Sequence, residues 1–129
     1  MTLGGPFNHW LGLRIVERHE DGVTIACEIR PDLLNSNNVL HGGITATLAD
    51  AAAGMGLIDH LQGRQPVTTT ELKINYLKPI TGAQVKARAK FVRIGKTLAV
   101  AQVEVTNDKG DLTAIALVTY MLLTPTLPA

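Results

Sequence analysis

Residues 35–60 read NSNNVLHGGITATLADAAAGMGLIDH, and the rest of the chain is organised around them. The stretch opens as a polar loop and passes through His41-Gly42-Gly43. It then becomes a helical pattern predicted to run from about Gly42 to about Leu61. At 1.5 Å per residue such a helix is roughly 27–30 Å long. From Gly42 to Ile58 it is apolar on nearly every side, and Asp50 is its one ionisable side chain. A helix of this kind is normally enclosed by other structure, and an enclosed carboxylate without a purpose is a liability. Ile44, Leu48, Ala51, Ala52 and Met55 form one stripe; Ala46, Ala53, Gly54 and Leu57 lie opposite, beside Asp50. Gly54 and Gly56 each cost about 1 kcal/mol relative to Ala, so a strand or a ligand is expected to pack closely there.

Upstream, Pro6 to Gly12 suits one short helical turn with Phe7, Trp10 and Leu11 as an apolar cluster. Leu13 to His19 reads as a strand, and Glu20-Asp21-Gly22 is a hairpin signal. In the next strand Val23, Ile25, Cys27 and Ile29 share one face, while Thr24, Glu28 and Arg30 share the other. Cys27 therefore reads as a small buried hydrophobe rather than a nucleophile. Pro31 has no N–H for a ladder and ends the strand.

Downstream of Gly63-Arg64-Gln65-Pro66 the period changes from helical to alternating. Val67 to Lys78, Val85 to Ile94, Thr97 to Asn107 and Leu112 to Leu123 read as strands, with turns at Ile94-Gly95-Lys96 and Asn107-Asp108-Lys109-Gly110. Short links imply antiparallel neighbours. The expectation is an α+β fold: a meander of five to six antiparallel strands with one long helix against one face, the whole chain 1–129 forming one domain. One sheet covers only one side of an all-apolar helix, so a second copy is expected over the exposed remainder and the sheet edges.

Composition narrows the function classes. The chain has 129 residues, 46% hydrophobic and 18% charged, the profile of a soluble globular domain with a sizeable core. Its formal net charge of +1 gives no bulk reason to expect nucleic acid or an anionic membrane. One cysteine excludes an internal disulfide and fits a reducing cytoplasm. The start, MTLGGPFNHW, has neither a basic nor an apolar leader region, and no apolar run approaches the roughly 20 residues of a membrane helix.

The helix start offers chemistry. Its first-turn amides lack intrahelical partners and sit at the positive end of the dipole. Gly42 and Gly43 let a ligand approach that backbone without a Cβ in the way. Such a site suits the transient oxyanion formed when an ester or thioester carbonyl is attacked, and His41 stands beside it as a candidate donor. His-Gly-Gly alone also fits an ordinary loop-to-helix junction. Asp50 adds weight. It lies nine residues beyond His41, too far to cap the helix, and its i±3 and i±4 neighbours are Thr47, Ala53, Ala46 and Gly54. An arginine from a strand, or hydrogen bonds from loop residues, would make it merely structural; otherwise an acid here is a catalytic candidate. No second acid or histidine stands at metal-ligand spacing, so neither metal nor cofactor is expected.

At these residues the sequence resembles the hotdog-fold acyl-CoA thioesterases of the phenylacetate-pathway (PaaI-like) family. The shared pattern is Asn35, then His41-Gly42-Gly43, then Leu48-Ala49-Asp50-Ala51-Ala52, then Thr69 to Pro79 and Gly95-Lys96-Thr97-Leu98. It ends in Gly110, Leu112 and the Ala114-to-Tyr120 strand, and covers most of the chain from about residue 12. The resemblance implies a helix wrapped by the sheet, and homodimers joined edge to edge that in turn pair into tetramers in some relatives. It implies active sites shared between subunits, with Asp50 as general base or nucleophile against the other subunit's His-Gly loop. Gly42 would be the main oxyanion donor, Gly43 part of the same substrate cradle, and His41 and Asn35 would orient thioester and water. Thr69 best matches the strand residue that holds the water, with Thr68 and Thr70 adjacent.

CoA phosphates call for cations. Arg93 and Lys96 flank the Gly95 turn, with Lys78 and Arg64 behind them, all expected at strand ends near the helix start. Met55, Leu57 and Trp10 are candidates for the acyl pocket, and 4% aromatic content does not point to an aryl group. Hotdog hydratases and dehydratases carry a His-Phe-Pro-Gly loop with a helical Glu, or an Asp/His pair, and neither pattern occurs here. A non-catalytic acyl-CoA sensor or accessory subunit is the alternative from another class; it would lack the helical acid that this chain keeps.

Overall fold

Alternating strands and one uninterrupted helical stretch become six strands and two helices in the computed structural model, which describes residues 4–125. The reading of Met1–Leu3 as free of leader character lies outside those residues. In order they are α1 (Gly5–Leu11), β1 (Arg14–His19), β2 (Gly22–Glu28), a 3-10 turn (Pro31–Leu33), α2 (Gly42–His60), β3 (Val67–Tyr76), β4 (Gln84–Ile94), β5 (Leu98–Thr106) and β6 (Leu112–Leu122). Within α2 and its neighbours, no described helix is long and apolar enough to cross a membrane.

All six strands form one antiparallel sheet in the order β1-β2-β4-β5-β6-β3. The inward positions of β4, β5 and β6 are small: Ala87, Ala89, Ala99, Ala101, Val103, Ala114, Ala116 and Val118 are all buried. Small side chains there let the sheet come close to α2 and curl around it. Leu48 and Leu57 are fully buried between them, each burial contributing about 1.5–3 kcal/mol.

The expected meander holds only for β4-β5-β6. β3 crosses to the far edge and pairs with β6, from Val67↔Leu122 to Tyr76↔Ala114. The link after β3 runs from Leu77 to Ala83 and contains Pro79, too long and too irregular for a hairpin. A second expectation also changes. Every residue from Ala51 to Leu57 is buried within the single chain, because the curled sheet and its flanking segments close round the helix. What stays open is the first turn of α2 and the whole of β3, exposed at nearly every position from Thr68 to Tyr76.

The two helical glycines are explained by strands rather than by a ligand. A Cβ on Gly56 would come within 3.2 Å of both Phe91 and Val23, and one on Gly54 would overlap the Tyr120 hydroxyl. Cys27 is buried on the inner face, where burial pushes its thiol up from the ordinary value.

Candidate active site

The loop before α2 is fixed by its own hydrogen bonds. Asn35 Oδ1 accepts the N–H groups of Asn37 at 2.8 Å and Val39 at 3.3 Å, folding the loop back on itself. Leu34 and Leu40 form a bridge, the His41 N–H reaches Leu33 O, and the Leu40 N–H reaches Ile80 O. Asn35 is thus committed through its carbonyl oxygen, and its amide group is the part left to meet a ligand.

His41 is the N-cap of α2. Its Nδ1 accepts the Gly43 N–H at 2.9 Å, which places the proton of the neutral ring on Nε2. The His41 carbonyl accepts from Ile44 and Thr45. Of the four first-turn amides, then, three are used; among the described residues no acceptor meets the Gly42 N–H. The amide of Gly43, expected in the substrate cradle, is consumed by the cap. The Gly42 carbonyl accepts from the Tyr76 hydroxyl at 2.6 Å, a contact that ties the helix start to β3. A shallow hollow of about 340 Å³ opens here, lined by Asn35, Gly42, Thr45, Tyr76 and Lys78 among others.

Asp50 is half-buried rather than enclosed, and opens onto a separate cleft of about 370 Å³. Its Oδ1 accepts from the Thr69 hydroxyl at 2.8 Å and from the Tyr120 hydroxyl at 2.9 Å. Among the described residues no cation pairs with it, so the structural role through a strand arginine is not what this carboxylate has. Of the adjacent threonines, Thr69 meets the acid next to a register shift between Thr69 and Glu71, while the Thr70 hydroxyl donates to Thr119 O. At about 100° per residue, Ala46, Ala53 and Leu57 do share the Asp50 side of the helix. The sheet covers that flank, however, and the cleft wall is Thr47, Ala51, Gly54, Met55 and Ile58.

Met55 lines the Asp50 cleft as expected, but Leu57 is core, and of the N-terminal aromatics it is Phe7 that lines the cleft. Trp10 stacks on Phe7 with ring centroids 6.1 Å apart. The basic residues do not gather at the helix start. Arg93 stands beside Asp59 and His60, at the C-terminal end of α2, with Lys96 in the turn just beyond and Arg64 just past the helix. β4 runs past the helix, so its last residues reach the opposite end. Lys78 alone of the four lines the hollow at Gly42, where its Nζ pairs with Asp111 at 2.8 Å.

Tyr120, Tyr76 and Phe7 escaped the sequence reading. Tyr120 had a signal: it is the one aromatic among the inward positions of β6, where Ala114, Ala116 and Val118 are small. A buried tyrosine needs a partner for its hydroxyl.

Comparison with known proteins decides the family. The sequence profile of the thioesterase superfamily matches residues 37–114. The chain belongs to that superfamily. The thioesterase-superfamily match takes in the end of the loop with His41, α2 with Asp50, and Thr69, and leaves out Asn35 and Tyr120. Among relatives, the medium/long-chain acyl-CoA thioesterase YigI of Escherichia coli is 30% identical over 132 residues, covering 91% of this chain and 85% of that one. Acyl-coenzyme A thioesterase 13 of mouse is 35% identical over 86 residues, 64% of this chain and 61% of that one. The crystal structure of the BH2602 protein from Bacillus halodurans with CoA superposes with a TM-score of 0.84 at 32% identity, covering 93% of this chain and 80% of that one. A helix wrapped by six antiparallel strands is the hotdog fold of such thioesterases, and this chain is a thioester hydrolase of that superfamily.

Proposed function

We propose that the chain hydrolyses an acyl-CoA thioester to the free acid and CoA at sites shared by two copies. Asp50 of one copy acts as general base or nucleophile, and the Gly42 amide of the other stabilises the oxyanion. The observation that carries this reading is a separation. Gly42 and Asp50 lie eight residues apart on one continuous helix, which sets them about 12 Å apart along its axis. Reacting groups need to approach within about 3–3.5 Å of one centre. One copy therefore holds two half-sites that open onto different hollows. The exposed edge strand β3 carries Thr69 toward one half-site and Tyr76 toward the other. A homodimer joined along β3 brings unlike halves together.

The chemistry is economical. Asp50 removes a proton from water, whose oxygen adds to the carbonyl carbon, or its carboxylate adds directly. The carbonyl oxygen becomes negative against the Gly42 N–H, and the C–S bond breaks to release the thiolate. This leaves the free acid or, after direct attack, an anhydride that a water opens to the acid and the restored carboxylate. A CoA thiol has a pKa near that of cysteine, about 8.5, so no strong general acid is required. His41 presents Nε2–H and Asn35 its amide beside the same oxygen. Met55 and Phe7 wall the acyl side, and Lys78 offers a charge to the CoA phosphates. Arg93 and Lys96 contribute only to a CoA tail that runs along the C-terminal end of the helix. Within the superfamily we read the chain as PaaI-like, a reading supported by its His41-Gly42-Gly43 and helical Asp50, acting as one hotdog domain in the cytoplasm.

The test is a panel of acyl-CoAs assayed with a thiol reagent. CoA release by the wild type that falls about 10²–10⁴-fold in a folded Asp50→Ala variant supports the reading. Tight binding without release would assign the chain to the sensor class instead. Single-turnover hydrolysis in ¹⁸O-labelled water separates base from nucleophile: label entering the carboxylate of Asp50 marks direct attack.

A further inference from the structure

We propose that Tyr120 is a positioning residue for Asp50, its hydroxyl and that of Thr69 holding one carboxylate oxygen so that the other faces the cleft. The proposal rests on the reading of Asp50 as base or nucleophile and adds what aims it. Both hydroxyls meet the same atom: Thr69 Oγ1 lies 2.8 Å and the Tyr120 hydroxyl 2.9 Å from Asp50 Oδ1. The Tyr120 oxygen also lies 3.0 Å from the Asp50 main-chain carbonyl, so the one phenol sees both ends of the residue. Among the described residues no donor meets Oδ2.

The holder is itself held. Tyr120 is buried and paired on both sides, with Thr69 across β3 and Ala99 across β5. Its ring lies over Gly54, one helical turn beyond Asp50, where any Cβ would overlap the hydroxyl. A glycine in mid-helix costs about 1 kcal/mol relative to Ala. Room for that hydroxyl is what the cost accompanies here. Burial, with the charge of Asp50 acting in the same direction, pushes the phenol above its ordinary value, so it stays a protonated donor at any working pH. A carboxylate fixed in one rotamer meets its water without further ordering.

Tyr120→Phe keeps the ring over Gly54 and removes only the hydroxyl. The expected result is a roughly tenfold lower kcat with KM little changed, because the substrate is still bound while the carboxylate is no longer aimed. A lower Tm with wild-type kcat would show a merely structural hydroxyl and overturn the proposal. Asp50→Asn is measured alongside. Full activity there removes the base itself and this proposal with it. An inactive Asp50→Asn beside a wild-type-like Tyr120→Phe overturns the positioning role alone. Should Tyr120→Phe not fold, Gly54→Ala displaces the hydroxyl from the other side. It is expected to lower kcat in the same way with KM little changed, and an unchanged kcat would again overturn the proposal.

Discussion

His41 Nδ1 accepts the Gly43 N–H at 2.9 Å, so the ring beside the proposed oxyanion site is first of all the cap of the long helix. Removing the ring and replacing the cap are therefore separable. His41→Ala should cost about 0.5–2 kcal/mol of stability, whereas His41→Asn, itself a good N-cap, should stay within a few tenths of the wild type. Both lose Nε2–H and should share one reduced kcat. Chemical denaturation and acyl-CoA hydrolysis on the two variants check this; equal kcat to wild type in His41→Asn would confine His41 to capping.

Gly42 occupies the first helical position, preceded by His41 at φ −58° and ψ 133°. Proline is favoured at that position, and an extended residue before it is what proline requires. Gly42→Pro should thus delete one N–H with stability unchanged or slightly raised. If that amide is the oxyanion donor, kcat falls about 10²–10³-fold. Hydrolysis within twofold of wild type would take Gly42 out of the mechanism.

The two half-sites make a mixing experiment informative. Asp50→Asn and Gly42→Pro chains are each expected to be inactive alone. After random reassortment half the dimers are mixed, and each mixed dimer has one intact site, so about a quarter of wild-type activity should return. No recovery, with mixed dimers verified by mass, would contradict the shared site.

Three carboxylates set the acid side of the stability curve. Asp21 is held below its ordinary range by the hydrogen bond from Arg88, Glu28 by Gln84 and then Arg14, and Asp111 by Lys78 and then Asn107. A depressed folded-state pKa stabilises fully above the unfolded value and is lost as pH falls through the folded one. Their contribution should be constant from neutrality to about pH 5 and decline below about pH 4. Asp111→Asn should lower Tm at pH 7, and its gap to wild type should close in acid. Thermal unfolding between those pH values is the measurement, and a gap independent of pH would show that the charge of Asp111 is not what stabilises.

Much of this molecule is written in its periodicity. The helix from Gly42, the hairpin at Asp21-Gly22, the buried face of Val23, Ile25 and Cys27, and the isolation of Asp50 all follow from spacing, because local geometry decides which side chains share a face. Spacing does not record which strand lies beside which. The crossing of β3 to the edge next to β6, the meeting of Thr69 rather than Thr70 with Asp50, and the meeting of Tyr120 with Asp50 depend on pairing between residues 38 to 70 positions apart in the chain. The same holds for the cations: strand length, not sequence proximity to the helix, carried Arg93 and Lys96 to its far end. Sequence alone determined the elements and the lone acid. Tertiary structure decided what the acid touches, because a sheet that curls around a helix brings distant strands to one point, and only the closed sheet fixes that point.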